Sequence, residues 1–236
     1  MSNEEKKKSE QEEIESVRKA LQNKSWSEIK SANSWVIFKV IAEFVEGFDK
    51  LARIGPCVSI FGSARTKTDD PYYKLAEEVA FKLTQNGFGV ITGGGPGIME
   101  AANRGAFRGK ATSVGFKIKL PFEDKASTEE YHHITLRQDQ FHYRQTTLIE
   151  NAQAYAAFWG GCGTEFEIYN VITLMQTGYL PRKAIQLYDP DVWKGFDARM
   201  REMAEMGTIS QDDLKLYRLV DDIDTMYYNL KSQVGV

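Results

Sequence analysis

The stretch Ala154 to Asn170, AYAAFWGGCGTEFEIYN, decides the fold. A short apolar run stops on three glycines within four positions, Gly160, Gly161 and Gly163, and an acidic, helix-forming segment follows at once. The run is too short for a helix and ends on residues that break a strand, so it reads as a buried strand turning directly into a helix.

The same pattern recurs on either side. Short β-favouring runs occur at CVSIFG (57–62), FGVITGG (88–94), TSVGFKI (112–118), HHITL (132–136) and AIQLYD (184–189). Helical patterns fill most of the gaps between them. One opens on Asp70-Pro71, an N-cap followed by a first-turn proline, and closes near Asn86-Gly87. Apolar strands that alternate with helices imply a parallel sheet buried on both faces. The fold class is therefore α/β: a doubly wound, Rossmann-like parallel sheet with helices on both faces, preceded by an N-terminal helical extension. Residues 1–54 read as a charged tail plus an amphipathic helix, and residues 55–236 as the Rossmann-like domain.

Composition narrows the function. The chain has 236 residues, 42% of them hydrophobic, and a net charge of −3, which gives no electrostatic case for a nucleic-acid surface. Cys57 and Cys162 make neither a disulfide framework nor a metal-ligand spacing, so a cytoplasmic protein is expected. The start, MSNEEKKKSEQEEIE, is charged throughout and lacks the apolar core of an export signal. The run WVIFKVIAEFV (35–45) is too short to cross a membrane and carries Lys39 and Glu43. Its Trp35, Phe38, Ile41 and Val45, continued by Phe48, form one helical face, which Val36, Val40 and Phe44 widen. So wide a stripe points to burial on more than one side, within the domain or at a subunit contact.

In doubly wound sheets, ligands bind beyond the carboxyl ends of the strands. Three of those ends are small or glycine-rich: Gly62-Ser63-Ala64-Arg65, Thr92-Gly93-Gly94-Gly95-Pro96-Gly97 and Gly160-Gly161-Cys162-Gly163-Thr164. In GGGPGIMEAANRGA (93–106), Gly94, Gly95 and Gly97 let the backbone approach an anion at the start of the following helix. The dinucleotide fingerprint fails, because the third glycine would fall on Ile98. In GGCGTEFE (160–167), Gly160, Gly161 and Gly163 form a second backbone cradle and Thr164 adds a hydroxyl. Glu167 is read into the first turn, facing the same crevice. A carboxylate beside a phosphate cradle is costly, which suggests catalysis or ribose binding, although a glutamate near a helix N-terminus also favours the helix dipole. His132, His133 and His142 do not suggest a metal site, because neighbours on a strand point to opposite faces. Cys162 has no histidine close in sequence to activate it.

These motifs resemble the LOG ("Lonely Guy") family of phosphoribohydrolases acting on cytokinin nucleotides or AMP. The family motif P-G-G-x-G-T-x-x-E falls on Trp159 to Glu167, and its companion M-x-x-R-K falls on Phe141 to Gln145. The resemblance implies Arg144 and Glu167 as the catalytic pair. It also implies a nucleoside 5′-monophosphate as substrate and a homodimer or a higher homo-oligomer. Gly62, Ser63 and the two glycine loops would hold the phosphate, with Met99, Glu100 and Asn103 as candidates to touch the base and no metal or cofactor required. Trp159, Phe141, Phe166 and Gln145 depart from the family pattern. Such sequences often carry the label "possible lysine decarboxylase", yet Lys110, Lys117, Lys119 and Lys183 lack the setting of a Schiff-base lysine. A non-catalytic nucleotide or cofactor carrier is the alternative, and a dehydrogenase is disfavoured by the failed fingerprint.

Overall fold

The computed structural model describes residues 26–118, 128–139 and 141–234. The charged start of the chain and Lys119 therefore lie outside the described residues. Seven parallel strands form one sheet: β1 (Cys57–Phe61), β2 (Gly89–Thr92), β3 (Ser113–Ile118), β4 (Ile134–Gln138), β5 (Ala154–Ala157), β6 (Ile185–Tyr188) and β7 (Arg218–Val220). Their order in space is β4-β3-β2-β1-β5-β6-β7. The chain winds outward from β1 to β4, then returns to place β5 on the other side of β1. The β1/β5 boundary is thus the topological switch point of the sheet.

Six of these strands match the apolar runs of the sequence. β7 does not, because three residues, of which only Val220 is buried, are too few to show a period. The helices are α1 (Trp26–Leu51), α2 (Pro71–Thr84), α3 (Ile98–Arg108), α4 (Phe141–Glu150), α5 (Cys162–Gln176), α6 (Pro190–Glu205) and α7 (Ile223–Val234). The Asp70 side chain caps α2 by accepting from the Tyr72 N–H at 2.8 Å. Past its end, Gly87 takes φ +83°, the left-handed turn that glycine allows.

Every residue of β1, β2 and β5 is buried, so each strand feeds both faces of the sheet. Val58 and Ile60 join Ala76, Leu83, Ala102 and Met226 in a core with α2, α3 and α7. On the opposite face, Phe61 and Tyr155 pack with Ile168, Ile172 and Trp193 from α5 and α6. Cys57, Ile91 and Phe116 pack there with Leu148 of α4 and Leu51, the last residue of α1. The chain separates into two compact units at Val45/Glu46, nine residues before the boundary read from the sequence. In the first unit α1 exposes Trp35, Ile37, Phe38, Ile41 and Val45, so the stripe whose width suggested burial faces outward in the single chain. No helix among the described residues is long and apolar enough to cross a membrane.

Candidate functional site

A cleft of about 640 Å³ opens where β1, β2 and β5 end. Three strand-end segments line it: Gly62 to Arg65 after β1, Gly93 after β2, and Trp159 to Thr164 after β5. The Ser63 N–H donates to the Trp159 carbonyl at 3.1 Å, which ties the first and third together across the switch point.

α5 begins at Cys162, with Gly161 as an N-cap that has no side chain to satisfy the first turn. The first N–H to find a partner in its own helix is that of Glu165, which donates to the Gly161 carbonyl at 3.1 Å. The N–H groups of Cys162, Gly163 and Thr164 therefore stand at the cleft with the positive end of the helix dipole behind them. A Cβ added at Gly161 or Gly163 would meet nothing within 4 Å, so both positions border open space.

The other glycine loop behaves differently. Gly94, Gly95 and Gly97 are buried and do not line the cleft, which corrects their expected place in a phosphate cradle. Gly97 takes φ +71°, and a Cβ there would sit 2.3 Å from the Ser63 carbonyl oxygen. That same carbonyl accepts the Ile98 N–H, the first of α3, at 3.1 Å. The N–H of Gly94 is likewise spent on the Thr92 hydroxyl at 2.9 Å. This loop packs the end of β2 against the end of β1. Only Gly93 reaches the cleft.

Arg144 and Glu167 meet inside it. Arg144, from the first turn of α4, is buried, with Nε donating to the Phe116 carbonyl at 2.7 Å and Nη2 to the Gly93 carbonyl at 3.1 Å. The guanidinium is thereby fixed by the ends of β2 and β3. Glu167 is the sixth residue of α5 and so stands in its second turn rather than the first. Its side chain is half-buried; burial pushes the carboxyl up to about 7, and the positive charge of Arg144 opposes that shift. A carboxyl balanced near neutrality can accept or hold a proton at physiological pH. It is the only carboxylate among the described residues that line the cleft.

The remaining expected residues divide. Gly62, Ser63, Gly160, Thr164 and Met99 line the cleft. Asn103 does not: it is fully buried, donates from Nδ2 to Ser113 Oγ at 2.9 Å and to the Val114 carbonyl at 3.2 Å, and accepts from the Thr92 hydroxyl. It locks α3 onto the end of β2 and the start of β3, which corrects its reading as a base contact. Glu100 also lies away from the cleft; its charge adds to burial in pushing the Tyr73 hydroxyl up to about 12.

The sequence reading missed Gly93, whose place beside Arg144 arises only in three dimensions. It also passed over Arg65, an exposed cation at the rim whose position in the β1 loop was a usable signal. Trp159 and Phe141 line the cleft, and Phe166 stands beside Phe141. Trp159, Phe166 and Phe141 are each about two-fifths exposed, and the Phe141 and Phe166 rings lie 5.9 Å apart. Among the described residues no lysine lines this cleft: Lys183 donates to the Ala152 carbonyl and Lys117 pairs with Glu129.

Comparison with known proteins agrees with this architecture. A protein of Archaeoglobus fulgidus described only as uncharacterized is 27% identical over 119 residues, which is 50% of this chain and 72% of its own. The molybdenum cofactor carrier protein of Chlamydomonas reinhardtii superposes with a TM-score of 0.57 at 18% identity, covering 77% of this chain and 99% of that one. The molybdenum cofactor binding protein of Rippkaea orientalis gives a TM-score of 0.56 at 17% identity, covering 75% and 96%. Identities this low establish a shared fold and nothing further. The family model described as "Possible lysine decarboxylase" matches residues 99–230, more than half of the sequence, and the chain belongs to that family, the LOG family.

Proposed function

We propose that the protein is a nucleoside 5′-monophosphate phosphoribohydrolase that uses water to cleave the N-glycosidic bond of AMP or a cytokinin riboside monophosphate. The observation that carries this reading is the convergence of Arg144 and Glu167 in one cleft with the open N-terminus of α5. The 5′-phosphate sits against the N–H groups of Cys162 to Thr164, with Arg65 as its counter-charge at the rim. Glu167, ionised, binds the ribose hydroxyls and takes a proton from the attacking water as the water oxygen bonds to C1′. The C1′–N bond breaks toward the base, which leaves with the electron pair and picks up a proton. Arg144 stabilises negative charge on the departing base or phosphate, and the carboxylate favours the oxocarbenium-like ribose.

We further propose a cytoplasmic homodimer. The apolar face that α1 exposes supports the dimer, and the two unpaired cysteines, Cys57 buried and Cys162 exposed, suit a reducing compartment.

The experiment is a comparison of AMP with adenosine on one preparation. Loss of two hydrogen bonds to a charged group costs roughly 3–6 kcal/mol, so AMP should exceed adenosine by about a hundred- to ten-thousand-fold in kcat/KM. Equal values would remove the phosphate from the reading.

One observation favours a second reading, a nucleotide or cofactor carrier. Phe166 stands where many relatives of the family have a second acid, leaving Glu167 as the single carboxylate among the described residues of a cleft flanked by Trp159 and Phe141, an arrangement that suits stacking a planar ligand. Two of the structures that share this fold are described as molybdenum cofactor carrier or binding proteins. Tight AMP binding without release of adenine would select this reading.

A further inference from the structure

A second, smaller cavity of about 340 Å³ lies at the other end of the sheet. Thr112 and His133, which immediately precede β3 and β4, form part of its wall, so it opens at the amino ends of the strands while the cleft opens at their carboxyl ends. Its lining includes three cations, Lys50, Arg53 and Lys110, and no carboxylate among the described residues. Lys50 pairs with Glu46 along α1. Arg53 and Lys110 form no ion pair among the described residues.

His133 adds a hydrogen-bonding side chain to the wall. Its Nδ1 accepts the Ser113 N–H at 3.2 Å, and its ring stacks on Phe107 at 5.1 Å. In the neutral ring that acceptor role places the proton on Nε2, leaving an N–H as the other hydrogen-bonding group.

The backbone gives an independent sign. Lys110 follows the helical C-cap Gly109 and takes φ +56°, one of two left-handed non-glycine residues among those described. The Ala111 N–H closes the helix end by donating to the Ala106 carbonyl at 3.2 Å, an arrangement in which glycine is strongly preferred at position 110. The chain thus keeps a lysine where its backbone disfavours one. The carboxyl ends of α1 and α3 come together here, and a cation near each would complement their dipoles. That purpose needs neither three cations nor a lysine in this conformation.

We propose that this cavity is a binding site for a phosphorylated small molecule, held by Lys50, Arg53 and Lys110 and separate from the cleft. Its volume falls at the lower end of small-molecule sites and exceeds what a single ordered water needs. A protein of net charge −3 does not attract polyanions generally, so binding at this place reflects the local arrangement. The site is independent of the reaction proposed for the cleft and stands or falls without it.

Calorimetric titration of the full chain with inorganic pyrophosphate tests the assignment, with Arg53→Gln and Lys110→Gly compared against the unaltered protein. A Gly161→Val variant removes any contribution from the cleft. The site should persist in Gly161→Val and weaken about tenfold or more in each of the other two, because a charge-assisted contact is lost in each. Lys110→Gly relieves the left-handed strain, so it should melt higher than the unaltered protein while binding less, a combination that a merely structural lysine would not give. Turnover at the cleft should be unchanged in both. Binding that vanishes in Gly161→Val, or that survives intact in Arg53→Gln and Lys110→Gly, would overturn the proposal.

Discussion

A Cβ atom placed on Gly93 would lie 1.9 Å from Nη2 of Arg144 and 2.7 Å from the sulfur of Met99. The guanidinium occupies the space that any other residue at position 93 would fill, and the carbonyl of that residue is one of its anchors. The end of β2 therefore acts as the seat of Arg144.

Gly93→Ala should accordingly displace the guanidinium without unfolding the sheet. A shift of an ångström at a reacting centre can cost about a hundredfold, so kcat on AMP should fall by that order while the melting temperature moves little. Steady-state kinetics beside a thermal melt would check this, and unimpaired kcat would mean that Arg144 does not act from its seat.

Glu167→Gln should abolish turnover while holding AMP affinity within about tenfold, because the amide keeps the shape but cannot take a proton. Single-turnover kinetics with a separate binding titration would separate the two effects. Near-normal turnover would end the assignment of Glu167 as the base.

The same residue predicts a pH dependence of stability. Burial raises its carboxyl from 4.5 to about 7, so the folded protein holds that proton more tightly than the unfolded chain does. The stabilising effect is complete at pH values below the unfolded value and is lost as pH rises through the folded value near 7. At pH 8, Glu167→Gln should therefore be more stable than the unaltered protein by roughly 1–3 kcal/mol, allowing for the solvent that still reaches this group, and the gain should fade at pH 5. Urea titrations of both proteins at the two pH values would show it. A gap independent of pH would mean that the carboxyl is not raised.

Asn103→Ala should lower stability and leave base preference alone. It removes the partner of the Thr92 hydroxyl and two contacts to β3, all buried, at a cost of roughly 2–4 kcal/mol. The ratio of rates on AMP and inosine monophosphate should not change. A shifted ratio at unaltered stability would return Asn103 to the base site.

Phe38→Lys with Ile41→Lys tests the exposed face of α1. Both side chains are more than half exposed in the single chain, so the double variant should fold normally while a dimer held by this face falls to half its mass. Light scattering of both proteins decides the matter, and an unaltered protein that is already monomeric would sink the dimer.

Much of this protein was fixed by local physics and is legible in the chain. Asp70-Pro71 starts α2, Gly87 lies just past its end, and short apolar runs, three of them closed by glycine, give six of the seven strands, because caps, turns and periodicity act over a few residues. The candidates Arg144 and Glu167 were legible as a pair through the resemblance of their two motifs to those of the LOG family. The two glycine loops, however, looked alike in sequence, and only the tertiary structure separated them. Crossing segments decided it: the Ser63 carbonyl takes the first N–H of α3, whereas Gly161 leaves the start of α5 open. Asn103 and Gly93 follow the same rule. Each owes its role to partners brought beside it by the sheet, Ser113 and Val114 on β3 for one and Arg144, 51 residues along the chain, for the other. A buried polar group is satisfied, and a glycine is required, by whatever the fold places against it, and a linear pattern carries no record of that neighbour.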